Sequence, residues 1–318
     1  NENGERIIYI AIRRPDGYVA KPADAGTDVF HMLNASSTDA PPWFKPTDFP
    51  VDFSFIRQPA TTDNWATGSR LTRKSRNYID LSNAASDNGN FLWDYNSGWN
   101  SYTGSESYQS WMWKRGAGFD VVTYTGNATA GHVIPHSMNK TIEMMWVKNR
   151  GDTDPWFVWH HGLNGGTNPE QYSLEFNNAA ETSISYMNNV APTSTHFTVG
   201  SHGMVNNNNA NYLAMLFSSI TGISKVGYYS GNGSSRTITT GFQPRFLIIK
   251  RTSYTEHWWV LDTTRGWGSG NDNYLKLDSD GQQLSFDFGA PTSTGFTLAD
   301  GNNAYNGNSE EYIYYAHA

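Results

Sequence analysis

The sequence predicts an all-β protein made of tandem antiparallel β-sandwich (jelly-roll-like) domains. Three observations predict it: a long internal repeat, short apolar runs separated by turn residues, and the absence of any long stretch with helical periodicity. The repeat is plainest in Ala191-Pro-Thr-Ser-Thr-His-Phe-Thr-Val199. It returns 99 residues later as Ala290-Pro-Thr-Ser-Thr-Gly-Phe-Thr-Leu298, with two of nine positions changed. Met144-Met-Trp-Val-Lys-Asn-Arg150 returns as Phe246-Leu-Ile-Ile-Lys-Arg-Thr252, and Pro155-Trp-Phe-Val158 as His257-Trp-Trp-Val260. Asn211-Tyr-Leu-Ala214 returns as Glu311-Tyr-Ile-Tyr314. A solenoid unit is ~20–45 residues long, so this longer period fits one small domain per copy.

A diverged copy precedes these two. Phe53-Ser-Phe-Ile-Arg57 stands where Met145 to Lys148 and Leu247 to Lys250 stand, and Trp65 matches Trp156 and Trp258. Glu106 to Lys114 takes the place of the closing strand around Tyr212 and Tyr312. Glu5 to Arg14 reads as one more closing strand with no domain in front of it, so the chain is expected to be the C-terminal part of a longer protein. The expected division is 1–25 (closing strand and linker of a preceding repeat), then sandwiches at 26–116, 117–220 and 221–318. Glycines near Gly26, Gly116 and Gly222 would supply short flexible joints between them.

In chain order, strands are expected at 7–12, 51–57, 91–95 and 110–114 in the first part, and at 120–124, 141–148, 157–160, 172–176, 196–199 and 212–217 in the second. In the third they are expected at 225–229, 245–250, 258–261, 274–277, 284–288, 296–298 and 312–315. Many alternate apolar with polar residues, as a strand with one buried face does. Gly126-Asn127, Gly231-Asn-Gly233, Asp280-Gly281 and Asn306-Gly-Asn308 supply turn chemistry between them. The Asn-rich runs Asn206 to Asn209 and Asn302 to Asn308 read as exposed loops, either a binding rim or hairpin ends filled with polar residues.

Charged residues are few, at 16%, and the 12 Trp, 18 Tyr and 16 Phe are many, which suits strands and argues against disorder or a helical bundle. A net charge of -7 disfavours nucleic acid as a partner; the one basic cluster, Arg70-Leu-Thr-Arg-Lys-Ser-Arg76, reads as a solvated strand or loop. With no cysteine, disulfides, thiol catalysis and Cys-zinc sites are excluded. No apolar run is long enough for a membrane-spanning helix, and no membrane insertion is expected.

The Trp-rich segments Trp156-Phe-Val-Trp159 and Trp258-Trp259 recur, so a core role is expected for them. Trp99, Trp111, Trp113 and Trp267 have no repeated counterpart and are better placed to face outward. For a sugar ring, the expected stacking residues are Trp99, Tyr102, Trp267 and Tyr305, in loops near the domain ends. His132 with His136, and His160 with His161, lack a third ligand at metal-like spacing, and Asp278-Ser-Asp-Gly-Gln282 lacks the acids of a calcium loop. No metal or cofactor is expected. No nucleophile-elbow, zincin or phosphate-loop motif occurs. The strand acids Asp94, Glu143, Glu175, Asp262 and Asp287 do not repeat with their neighbours, so a two-carboxylate glycosidase is disfavoured.

The ordered series Gly118-Phe-Asp-Val-Val-Thr-Tyr-Thr-Gly-Asn127, an apolar strand ending Val147-Lys-Asn-Arg150, Trp156-Phe-Val-Trp-His-His161, the Ala-Pro-Thr-Ser-Thr segment and Asn211-Tyr-Leu-Ala-Met-Leu-Phe217 resembles the repeat of large virion proteins of marine tailed phages, cyanophages especially. The resemblance covers 117–318 well and 26–115 weakly. It implies a non-enzymatic tail-fibre or appendage protein on the virion surface, in contact with a host-surface glycan or protein receptor and with other virion subunits. It carries no catalytic residues over. Such fibres are often homotrimers, although no coiled-coil heptads occur here. The competing expectations are a capsid decoration protein and a carbohydrate-binding or depolymerase module.

Overall fold

The computed structural model describes residues 23–36, 41–45, 48–87, 89–101, 107–177 and 179–318. The expected strand at 7–12 lies outside them. The described chain is all-β and antiparallel. Its first segment holds β1 (Phe30–Ser36), β2 (Phe53–Arg57), β3 (Ala66–Ser69), β4 (Ser75–Tyr78), β5 (Ser86–Asp87) and β6 (Ser107–Trp113). The second holds β7 (Phe119–Thr125), β8 (His132–Pro135), β9 (Met144–Asn149), β10 (Phe157–His160), β11 (Leu174–Glu175), β12 (His196–Val199) and β13 (Asn211–Phe217). The third holds β14 (Ser224–Ser230), β15 (Arg236–Thr239), β16 (Phe246–Arg251), β17 (Trp258–Asp262), β18 (Asp272–Lys276), β19 (Leu284–Phe286), β20 (Pro291–Thr292), β21 (Gly295–Leu298) and β22 (Glu311–His317).

Each segment forms one large sheet, and the strand order is the same in all three. The orders are β1-β6-β2-β3-β4-β5, then β7-β13-β9-β10-β11, then β14-β22-β16-β17-β18-β19. In each, the segment's last strand lies between its first strand and a strand from its middle. Register places Arg57, Lys148 and Lys250 at one equivalent position, opposite Gln109, Leu213 and Ile313 on the closing strands.

The three segments do not stand apart as separate sandwiches joined by flexible glycines. The inner faces of the three large sheets meet in one core. Phe53 touches Phe119 and Trp146, Phe30 and Phe55 touch Phe246, and Phe217 touches Tyr315, so every pair of sheets is in ring contact. The reason is visible in β16: Phe246 and Ile248 belong to the shared core, whereas Leu247 and Ile249 belong to a second core on the other side. A strand apolar on both faces needs cover on both, and here the neighbouring sheets supply the inner cover. Gly227, opposite Tyr314 in the β14–β22 pair, leaves space that a side chain would deny to that tyrosine ring.

The outer faces are covered within each segment. A two-stranded sheet, β8 with β12, covers the second, and a three-stranded sheet, β15-β21-β20, covers the third. In the first segment the cover comes from loop residues Trp43, Phe44, Phe49, Phe91, Trp93 and Trp99. The expected strand at 91–95 is therefore loop, held at a single bridge between Leu92 and Asn100. The unexpected strands β1, β3, β4, β5, β8, β15 and β20 are short or carry polar residues on exposed positions, and pairing with a neighbour fixes them rather than their own pattern.

The ring closes through a repeated set of bonds. The Trp65 indole donates to the Lys276 carbonyl at 2.8 Å, Trp156 to Tyr78 at 2.7 Å, and Trp258 to Glu175 at 3.0 Å. Each sheet's tryptophan is thus anchored on the preceding sheet, the first on the third. Backbone bonds run beside them: Ala85 N to Arg150 O (2.8 Å), Glu181 N to Thr252 O (2.9 Å) and Gln283 N to Pro59 O (2.7 Å). These bonds pair the outer strands of one sheet with the next sheet, so those edges are not left open.

Candidate functional site

The aromatic residues expected to stack on a sugar are not a surface platform. Trp99 is fully buried, stacks on Trp93 at 4.5 Å, and donates its indole to Ser110. Trp267 is 3% exposed and donates to the Gly289 carbonyl, and Tyr305 is fully buried with its hydroxyl 2.6 Å from Asp300. Tyr102 lies outside the described residues. Trp99 belongs to the first segment's outer core and the other two to the third's, so the structure does not bring them together. Trp111 and Trp113 are also fully buried. Lack of a repeated partner marked divergence in a core position, not exposure: Trp111 sits at the register position of Met215 and Tyr315. Trp156, Trp159 and Trp258 belong to the large shared core, and Trp259 to the third segment's outer core.

The Asn-rich loops are internally braced. Asn206 donates to Asn127, Thr129 and Gly200 and accepts from the Asn127 backbone; Asn306 repeats this with Asn232, Ser234 and Asp300. Beside each, a closing-strand tyrosine, Tyr212 or Tyr312, accepts from the loop backbone and donates back to it. Burial pushes both phenols up to about 12. These asparagines act as hairpin clamps.

The other polar residues of interest have structural partners. Asp262 is fully buried and accepts from Arg265, Thr264 and the Trp111 indole. Glu143 accepts from Ser219 N, Glu175 from Asn177, and Asp287 from Gly289 N. Asp278 accepts from His257 and from Trp258 N. His132 meets Asn206, and His136 meets the Thr193 carbonyl. His160 reaches from the second segment to the Tyr314 carbonyl of the third, and burial drives its pKa well below the ordinary histidine range. Among the described residues no three His, Asp or Glu side chains converge to hold a metal ion, and no helix is long and apolar enough to cross a membrane.

An open groove of about 850 Å³ lies at the junction of the first and second sheets. Arg73 and Lys74 stand exposed on one wall, Arg150 on the other, with Asp87 and Asp94 at the rim and Phe91 and Trp93 beneath. The Trp93 indole donates to the Arg73 carbonyl, which pins the wall to the floor. Arg70 also lines the groove but is occupied, bonded to the Val51 and Tyr95 carbonyls and 3.5 Å from Asp52. Arg150 is different. Its Nε is buried without a hydrogen-bond partner, and burial lowers its pKa with no carboxylate acting against that. The sequence alone does not mark this residue: Arg70 to Arg76 reads as a solvated run and Arg150 stands apart from it. The available signal was an arginine where the following copy has Thr252.

Residues 54–318 match one protein family, described as a domain of unknown function (DUF7483). The chain belongs to that family. The DUF7483 match runs from β2 to the end of the third sheet, so the family unit spans all three sheets rather than one of them. No curated protein matches the chain.

Proposed function

We infer that this DUF7483 chain is a non-enzymatic structural protein of a tailed-phage virion, a tail-fibre or appendage module that makes contacts at a host surface and with neighbouring subunits. The observation that carries the reading is the closed ring of inter-sheet bonds, Trp65 to Lys276, Trp156 to Tyr78 and Trp258 to Glu175. A ring of this kind holds loops and grooves in fixed positions without a moving cleft, which is what a load-carrying, contact-making surface module requires. The sequence resemblance to virion repeats points the same way. Glu143, Glu175, Asp262 and Asp287 serve internal hydrogen bonds, which leaves Asp94 without a second carboxylate from that set and favours contact over hydrolysis. Weak single contacts become effective when many copies are displayed on one particle.

The test is composition and placement. Peptides of this chain should be found by mass spectrometry in purified particles of the phage that encodes it, and antibodies against it should label the particle surface in electron micrographs. Its absence from particles, or release of reducing ends from polysaccharide by the isolated chain, would overturn the reading.

A further inference from the structure

We propose that the groove between the first and second sheets binds an acidic saccharide, its carboxylate or sulfate held by Arg150 with Arg73 and Lys74. The proposal rests on the virion-surface reading only for the source of the saccharide. Three observations carry it. The first is the Arg150 guanidinium at the groove wall, half-buried and with no carboxylate beside it. A half-buried guanidinium without a counter-charge is incompletely solvated, and a planar carboxylate or a sulfate offers the two-pronged acceptor that matches its fork.

The second observation is that the fold does not require this arginine. The backbone bond Ala85 N to Arg150 O is repeated as Glu181 N to Thr252 O and as Gln283 N to Pro59 O. Threonine and proline thus fill the equivalent positions at the other two junctions. The second junction even carries the opposite charge: Glu181 and Glu311 act on each other there, and burial together with that repulsion raises the Glu181 pKa. The groove at the first junction gathers Arg70, Arg73, Lys74 and Arg150 against Asp87 and Asp94, in a chain whose net charge is -7. A local positive site on an acidic protein attracts an anion selectively rather than through the overall field.

The third is size and lining. At about 850 Å³ the groove lies within the ~300–1,000 Å³ typical of small-molecule sites, far more than a lone anion fills. Phe91 and Trp93 offer an apolar floor for ring C–H groups, and Ser75, Ser86, Asp94 and Asn211 offer hydrogen-bonding partners for hydroxyls. Trp93 is 3% exposed and its indole face is taken by Trp99, so the floor contributes contact rather than face-on stacking.

The test measures binding of the full chain by titration calorimetry to four probes: an oligogalacturonate, a sulfated dextran oligomer, a neutral dextran oligomer of equal length, and inorganic phosphate. The expected result is binding of at least one acidic oligomer, weakened by salt, with neutral dextran inert and phosphate at least tenfold weaker. Arg150→Gln and the exposed pair Arg73→Gln/Lys74→Gln should each weaken that binding about tenfold or more, while Arg236→Gln in the third segment should not. Unchanged affinity in the exposed pair overturns the proposal, as does equal binding of neutral dextran. Phosphate binding as tightly as the oligomers would make this a simple anion site and overturn the saccharide assignment. A chain found in particles that fails this test loses the groove proposal alone; a chain that passes but is absent from particles loses the virion reading alone.

Discussion

The first and second junctions of the ring are built alike and charged oppositely. In both, the outer part of one sheet gives a backbone N–H to the residue after the central strand of the next, at 2.8 Å and 2.9 Å. In both, a tryptophan of the later sheet reaches back to a carbonyl of the earlier one. Yet Arg150 stands at the first where Thr252 stands at the second, and Asn211 where Glu311 stands. The comparison separates what closes the ring from what decorates it. The backbone and indole bonds cannot vary without opening the ring. The side chains at the junction surface can vary, and that freedom is where specificity can be written.

The largest effect should come from breaking what the junctions share. Trp156→Ala removes a fully buried ring and leaves the Tyr78 carbonyl unpaired, which should cost ~3–5 kcal/mol, and Trp258→Ala should cost a similar amount. Because both tryptophans lie in the one shared core, each variant should unfold the chain in a single lowered transition on urea titration followed by far-UV circular dichroism. A variant in which one segment melts while the other two stay folded would show that the sheets are independent after all.

Acid should loosen the second junction ahead of the first, because His160 spans it. His160 and His317 are both fully buried and neutral; burial holds His160 well below its ordinary range and His317 at about 3. Below pH 6.5 the unfolded chain takes up protons that the folded chain refuses, so stability falls between about 6.5 and about 3. Asp80 works in the other direction, since burial raises it to about 6 and the folded chain takes its proton first between about 6 and 3.8. Each histidine should contribute on the order of a few kcal/mol across its window. Urea midpoints measured from pH 7 to 4 should fall for the unmodified chain and fall less steeply for His317→Gln; an equal slope in that variant would refute the assignment.

Lys148 and Lys250 give a finer version of the same comparison. They occupy equivalent positions, and burial lowers both to about 8. Their surroundings differ: the Lys148 ammonium donates to the Ser82, Asp152 and Asp154 carbonyls, that of Lys250 only to Glu256. Lys148→Met should therefore cost ~2–3 kcal/mol by stranding three acceptors, one of them across the first junction, and Lys250→Met ~0–1 kcal/mol. Both lysines lose their proton in the folded state first, so they add stability as pH rises from about 8 to 10.5. That gain should be absent in the double variant.

Much of this frame was legible in the residues. The recurrence of Met144 to Arg150 as Phe246 to Thr252 anticipated equivalent strands, and the Trp156 and Trp258 segments read correctly as core. The closure of the ring was not legible. It depends on which sheet covers Phe246 and Ile248 from within, and a strand apolar on both faces does not name its second partner. The proposed sugar residues failed for a related reason. Trp99, Trp267 and Tyr305 lie in loops, but these loops form the outer cores, so turn chemistry in the sequence coexists with complete burial. Arg150 escaped notice because its meaning is comparative: only alignment across junctions shows a charge where the fold accepts threonine or proline.

The smallest expected change in stability is the most informative one. Arg150→Thr places the second junction's residue in the first. Its backbone bonds to Ala85 and Asn211 involve only main-chain atoms, so the ring should close as before. The half-buried guanidinium, with its Nε unpartnered, disappears, and with it a desolvation cost not offset by a partner. Stability in the absence of ligand should therefore hold or rise by ~0.5–1 kcal/mol, within the range seen when a functional charge is removed. If Arg150 instead braces the junction, the same variant should lose ~1–3 kcal/mol, as a broken buried hydrogen bond does. Urea unfolding at pH 7 distinguishes the two signs. A stable Arg150→Thr chain that no longer gains stability on addition of an acidic oligosaccharide would show a charge retained for contact at a junction that closes without it.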